Sequence, residues 1–365
     1  MINMKQIIIF SLLFNSLSSF TQKFSLDDFY SENTELSRKV DSIFKSLNDT
    51  TRIGQMIVPA IGRLGKKREH VYNLANKGWI GGILLLNGTM DEFINDVRVF
   101  DSISHNNNHL PLMFSADAEP TLVNRKILGS KKVPYTNTIE EFDSVAIVTN
   151  IISDDLIKIG INQNYAPVID ASPNKVVSNR SFGLNMDTVI RFSQSFITTT
   201  QSRNIVATAK HFPGHGYVNG DTHKQLIFID GEMKEVENYI PLISDGLISI
   251  MVAHLAVKNN SNYNTNGLPA TCSKRIVSDL LKDSLGFEGL IVTDALNMGA
   301  VANIENNGLM AALAGCDQLL MPIDEQKVLF SILNETALND MFKEQIYNSI
   351  KKIIRIKICI GKNFN

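Results

Sequence analysis

The feature of this sequence that most restricts its fold is a rhythm of short apolar runs. They occupy residues 54–60, 81–86, 110–116, 161–169, 205–210, 248–254, 289–294 and 318–321. Most are rich in Ile, Val and Leu and alternate little, which is the pattern of strands buried on both faces of a parallel sheet. Amphipathic, helix-like stretches lie between them, at residues 41–47, 188–199, 274–284 and 308–314. Strand alternating with helix predicts an α/β fold, and eight such units closing on themselves predict a single (β/α)8 TIM-type barrel. An open doubly wound sheet is the alternative, but no G-x-G-x-x-G follows the first run. A last helix is expected over 339–357, with Met341, Ile346, Ile350, Ile353 and Ile354 on one side and basic residues near its end. No Pro-, Gly- or Ser-rich linker divides the chain, so residues 21–365 read as one domain.

Residues 1–20 read differently. Lys5 gives a thin positive start, residues 7–14 are apolar, and small residues occupy 16–19. This is the layout of a secretory signal peptide, with an apolar stretch well short of the ~20 residues a spanning helix needs. It predicts a secreted or periplasmic protein without stable membrane insertion; the alternative is a buried first strand or helix. The remaining composition is ordinary. Lys plus Arg number 35 against 37 Asp plus Glu, so a strongly basic nucleic-acid binder is excluded, and with 44% apolar residues so is a disordered chain. Cys272, Cys316 and Cys359 are far apart, odd in number and without metal-like spacing. They read as small buried hydrophobes, and a monomer without disulfides is expected.

Polar residues gather just after several of the runs, where a barrel of this type carries its chemistry. The third run is followed by Asp117-Ala118-Glu119 and Arg125, the fourth by Asp170 and Asn179-Arg180-Ser181, the sixth by His254. The fifth leads into Lys210-His211-Phe212-Pro213-Gly214-His215-Gly216 and then Asp221-Thr222-His223; the seventh ends in Thr293-Asp294. Three readings of residues 211–223 stand side by side. Two histidines four apart could ligate zinc, but Pro213 and Gly214 forbid the helix that would align them. The histidines could be structural. Or Asp221 could fix the tautomer of His223 and leave its other nitrogen to trade a proton near neutral pH. Asp294 reads either as a helix N-cap or as a carboxylate able to attack a sugar carbon. Lys210, His211, Arg125, Arg180 and Asp117 would then offer hydrogen bonds to hydroxyls or an acyl group.

These residues carry a resemblance. Residues 210–216 followed by Asp221-x-His223 closely resemble the signature of family 3 glycoside hydrolases, in their β-N-acetylglucosaminidase branch. Matching pieces include Arg52-Ile53-Gly54-Gln55-Met56, residues 164–170, Asn179-Arg180-Ser181-Phe182, Ala253-His254, residues 292–296 and Ala314-Gly315-Cys316-Asp317. The resemblance implies a retaining exo-β-N-acetylglucosaminidase that removes terminal β-linked N-acetylglucosamine, with peptidoglycan fragments as the expected source. It implies that Asp294 is the nucleophile, His223 the acid/base and Asp221 its partner. Lys210, His211, Arg180, Asp117, Arg125 and His254 match sugar-binding positions, and neither metal nor organic cofactor is expected. The family's β-glucosidases usually draw the acid/base from a second domain, for which this chain is expected to have no room. The chain departs from the pattern at Pro120-Thr121-Leu122, where the family usually carries Gly-Gly-Arg; this alters the loop beside the sugar pocket. Three rival readings follow: attack by the sugar's own acyl oxygen, a phosphorylase, and an inactive barrel that only binds glycans.

Overall fold

The computed structural model describes residues 24–362, apart from 172–173 and 175–176. The leader read over residues 1–20 lies outside them.

Each of the eight apolar runs holds strand residues. Seven strands form one parallel sheet in the order Leu290–Thr293, Ser249–Val252, Val206–Phe212, Gln163–Asn164, Met113–Ala116, Gly82–Leu85 and Ala60–Ile61. Spatial order follows chain order, which distinguishes this sheet from a doubly wound one. At one edge Ile57–Val58 pairs in parallel with Leu319–Leu320. At the other, a single parallel bridge joins Val292 to Gln318. The result is a curled, TIM-barrel-like α/β fold.

Two apolar layers hold it. The large one fills the space between sheet and helices, where residues such as Ile83, Phe114, Val206, Ile250 and Ile291 are fully buried. A small separate cluster joins Val58, Ala60, Leu84, Tyr165, Met251, Val292 and Leu320. It takes register partners from both ends of the sheet (Ala60 with Leu84, Met251 with Val292), the seam pair Val58–Leu320, and Tyr165 from beyond the middle strand, so they meet inside the curl. There Gln163 Nε2 also donates to Gln318 Oε1 (3.1 Å).

The helices start and stop where local chemistry directs. Met90–Asn106 begins with a reciprocal cap: Thr89 Oγ1 accepts the Glu92 N–H (3.2 Å), and Glu92 accepts the Thr89 N–H (2.8 Å). Phe142–Ile159 ends at Gly160, whose φ of 97° suits glycine. The stretch expected over 274–284 is Arg275–Ser284, wound as a π-helix. The last helix is Asp340–Cys359. Ile346, Ile350, Ile353 and Ile354 face inward as expected, but Met341 is 82% exposed and Phe342 takes the inward place. Phe342 lies four residues before Ile346, nearly one full turn, whereas Met341 lies about 140° out of phase. Among the described residues no helix is long and apolar enough to cross a membrane.

Candidate active site

A cavity of about 590 Å³ opens where the strands end. Asp117, Arg125, Arg180, Lys210, His211, Asp221, His223 and Asp294 all line it. All but Arg125, which comes from the helix Pro120–Lys126, are delivered by a strand end or the loop after it, so residues up to 177 positions apart in sequence share one space.

One wall is an alternating charge cluster. Lys210 belongs to the long strand Val206–Phe212 and is 1% exposed. Its ammonium meets Asp117 Oδ1 at 2.9 Å and Glu119 Oε2 at 3.5 Å. Glu119 is fully buried and takes the Arg180 guanidinium through Nε and through Nη2 (3.3 Å). Lys126 Nζ approaches Asp117 from the other side (3.5 Å). Burial alone would raise the Asp117 carboxyl, but Lys210 and then Lys126 hold it well below the ordinary range. Glu119 is likewise kept low by Arg180 and Lys210 against its burial. Such a wall can orient hydroxyls with charged donors and acceptors at once.

The second group is the Asp221–His223 pair. Asp221 Oδ1 accepts from both the backbone N–H (3.0 Å) and ring Nδ1 (2.8 Å) of His223. With Nδ1–H engaged, Nε2 is the atom that can give or take a proton. Burial pushes Asp221 up, yet the two His223 hydrogen bonds leave it net lowered. The His223 side chain is 64% exposed. Its loop is tied to the chain after Asp294: the N–H groups of Gly299 and Ala300 donate to His223 O (3.0 Å) and Thr222 O (3.1 Å).

Asp294 directly follows the strand Leu290–Thr293. Its N–H bonds Val252 O (2.8 Å), and Oδ1 accepts from its neighbour Ala295 (2.8 Å). No helix follows within residues 295–300, so the N-cap reading does not hold. Burial raises its carboxyl, but the facing imidazoles of His254 and His211 keep it below the ordinary carboxylate value. It is an anion at neutral pH, as a nucleophile must be.

The other histidines divide. His211 lines the cavity while Nδ1 bonds buried Asp170 (2.7 Å). His215 does not line it. Its N–H reaches Asp170 (2.8 Å), Nδ1 lies 3.1 Å from Asn174 Nδ2, and Nε2 lies 3.2 Å from Thr222 Oγ1. His254, expected to touch sugar, is fully buried behind Asp294 instead. Its nitrogens are spent on Thr271 Oγ1 (2.8 Å) and Ala295 O (2.9 Å), so it shapes the loop of Asp294. Among the described residues no three His, Cys, Asp or Glu side chains gather as a metal site.

Sequence reasoning missed Lys126 and gave Glu119 no role in binding. Lys126 stands directly after Arg125, and the helix that carries both brings it to Asp117. At the departure, Pro120 starts the helix Pro120–Lys126 at a position that needs no N–H donor. Thr121 Oγ1 donates to Asn179 O (2.5 Å), and Leu122 lines the cavity.

The chain is similar to known proteins in sequence and in fold. The model of the glycosyl hydrolase family 3 N terminal domain matches residues 50–356. A β-hexosaminidase of Hydrogenovibrio crunogenus is 26% identical over 280 residues, which are 71% of this chain and 77% of that protein. β-Hexosaminidase A of Pseudoalteromonas piscicida is 28% identical over 285 residues, 68% of this chain and 48% of that protein. The solved structure of a family 3 β-N-acetylglucosaminidase from a Paenibacillus species superposes with a TM-score of 0.78 at 25% identity. It covers 87% of this chain, which spans 64% of that one.

Proposed function

Since the chain belongs to glycosyl hydrolase family 3, we propose that it is an exo-β-N-acetylglucosaminidase working by retaining double displacement. The observation that carries this reading is one cavity lined by an anionic Asp294 and by the Asp221–His223 pair. Asp294 attacks the anomeric carbon of the terminal sugar while His223 gives its Nε2 proton to the departing oxygen. The carbon–oxygen bond breaks, and a glycosyl ester forms on Asp294. Water then attacks the same carbon, His223 takes the water proton, and the Asp294 carboxylate is released. Asp117, Lys210, Arg180, His211 and Arg125 hold the sugar. The names of the relatives support the N-acetylhexosamine preference. Cell-wall peptidoglycan fragments, met outside the cytoplasm after export, are the substrate source we assign.

We further propose that the curled sheet is a closed (β/α)8 barrel. The support is the pairing of Ile57–Val58 with Leu319–Leu320, the Val292–Gln318 bridge and the Gln163–Gln318 contact.

The test is turnover of an aryl β-N-acetylglucosaminide. D294A is expected to stay folded and lose turnover, and a fluorinated substrate should leave a covalent sugar on Asp294. Free sugar, not sugar phosphate, is expected as product in phosphate buffer. Normal activity in D294A would sink the assignment of the nucleophile.

A further inference from the structure

We propose that Glu235 is a positioning residue for the reaction, holding the loop that carries Asp221 and His223. This rests on the reading of that pair as the acid/base. Glu235 is 3% exposed and does not line the catalytic cavity. Among the described residues it ion-pairs with no Lys or Arg. Its oxygens serve the backbone instead: Oε1 accepts the Ala171 N–H (2.7 Å) and Oε2 the Gly216 N–H (2.7 Å). A buried carboxyl without a cation is expensive, so its hydrogen bonds must be its use.

Those bonds join two elements of the site. Ala171 follows Asp170, which itself holds the His211 ring and the His215 N–H. Gly216 begins the stretch that leads five residues on to Asp221. The far end of that stretch is tied at Thr222 and His223 to residues just beyond the nucleophile. Glu235 therefore anchors the near end of the loop, and the segment after Asp294 anchors the other. The approach is so close that a Cβ at Gly216 would overlap Glu235 Oε1, and one at Gly214 would overlap the Glu235 side chain. The two glycines of the Pro-Gly-His-Gly stretch are the space this carboxyl occupies.

The test compares kcat/KM, which reports the first bond cleavage, on two substrates. A nitrophenyl β-N-acetylglucosaminide needs little proton donation to its leaving group, whereas a β-linked N-acetylglucosamine disaccharide needs it fully. H223A sets the reference, with an expected loss of about 10²–10⁴-fold on the disaccharide and little on the nitrophenyl substrate. E235Q keeps the shape but offers one acceptor in place of two. A misplaced proton donor is expected to cost about 10–10²-fold on the disaccharide alone. G216A, with an unstrained φ, displaces the same contact from the loop side and carries the comparison if E235Q does not fold. Equal losses on both substrates, or none, would overturn the role of Glu235 while a selective H223A leaves the acid/base reading intact. Equal losses in H223A itself would overturn both.

Discussion

Burial, and then repulsion from Asp170, push the Glu235 carboxyl from 4.5 up to about 8. A carboxyl whose folded value is raised gives stability that is complete below its unfolded value and is lost as pH rises through the folded one. Its contribution therefore falls between about pH 4.5 and 8. A glutamine does not titrate, and E235Q would leave one buried backbone N–H without an acceptor, a loss of about 1–3 kcal/mol. E235Q should thus be less stable than the parent chain near pH 5, with the deficit shrinking towards pH 8. Paired urea titrations at several pH values measure this; a deficit that grows with pH would contradict it. Glu235 was invisible in the sequence because its partners are backbone N–H groups more than 15 positions away, which no spacing encodes. Lys210 and Asp294 were legible because each closes an apolar run, and Asp221 and His223 because they stand in the dense motif that follows Lys210. His254 sits in an equally suggestive place, and only the Thr271 and Ala295 contacts reveal that its ring nitrogens are engaged within the fold.

Asp317 shows how one side chain can hold several elements. It is fully buried just before the strand Leu319–Leu320. It accepts the Ile291 N–H (2.8 Å) from the strand that leads to Asp294, and Ser349 Oγ (2.7 Å) and Lys352 Nζ (2.9 Å) from the last helix. Lys352 and Lys282 hold its carboxyl below the ordinary range in spite of burial. D317A would leave a largely buried ammonium and a backbone donor unpaired, so we expect a loss of about 3–5 kcal/mol in urea denaturation. A loss below about 1 kcal/mol would mean that the helix docks through its isoleucines alone. At this scale the sequence was most readable. Apolar runs and strands coincide because a strand buried on both faces has no polar positions to hide it. Helix phase was less readable: Met341 and Phe342 are both apolar, and only the docked helix decides which turns inward. The π-helix Arg275–Ser284 has no sequence mark at all, since its apolar stripe suits an α-helix equally.

Across the whole molecule, the count of eight runs suggested a ring, but counting cannot say whether a sheet closes. Closure depends on partners about 260 residues apart, and pairing over such a span leaves no local pattern. The seam rests on few bonds. Leu319 N–H donates to Met56 O (2.7 Å), Met321 N–H to Val58 O (2.8 Å) and Thr293 N–H to Gln318 O (3.0 Å). If the sheet is closed, these amides exchange with solvent only through openings as rare as those of the sheet centre. Thr208, which donates to Ala166 O (2.9 Å), is a suitable reference. Native-state hydrogen exchange should then find Leu319, Met321 and Thr293 protected to within about tenfold of Thr208. Protection lower by several orders of magnitude would make this an open edge. The answer bears on catalysis as well as architecture. Asp294 follows Thr293 directly at this seam, and its own N–H bonds Val252, so a fraying seam would loosen Asp294 on one side while the rest of the cavity stayed in place.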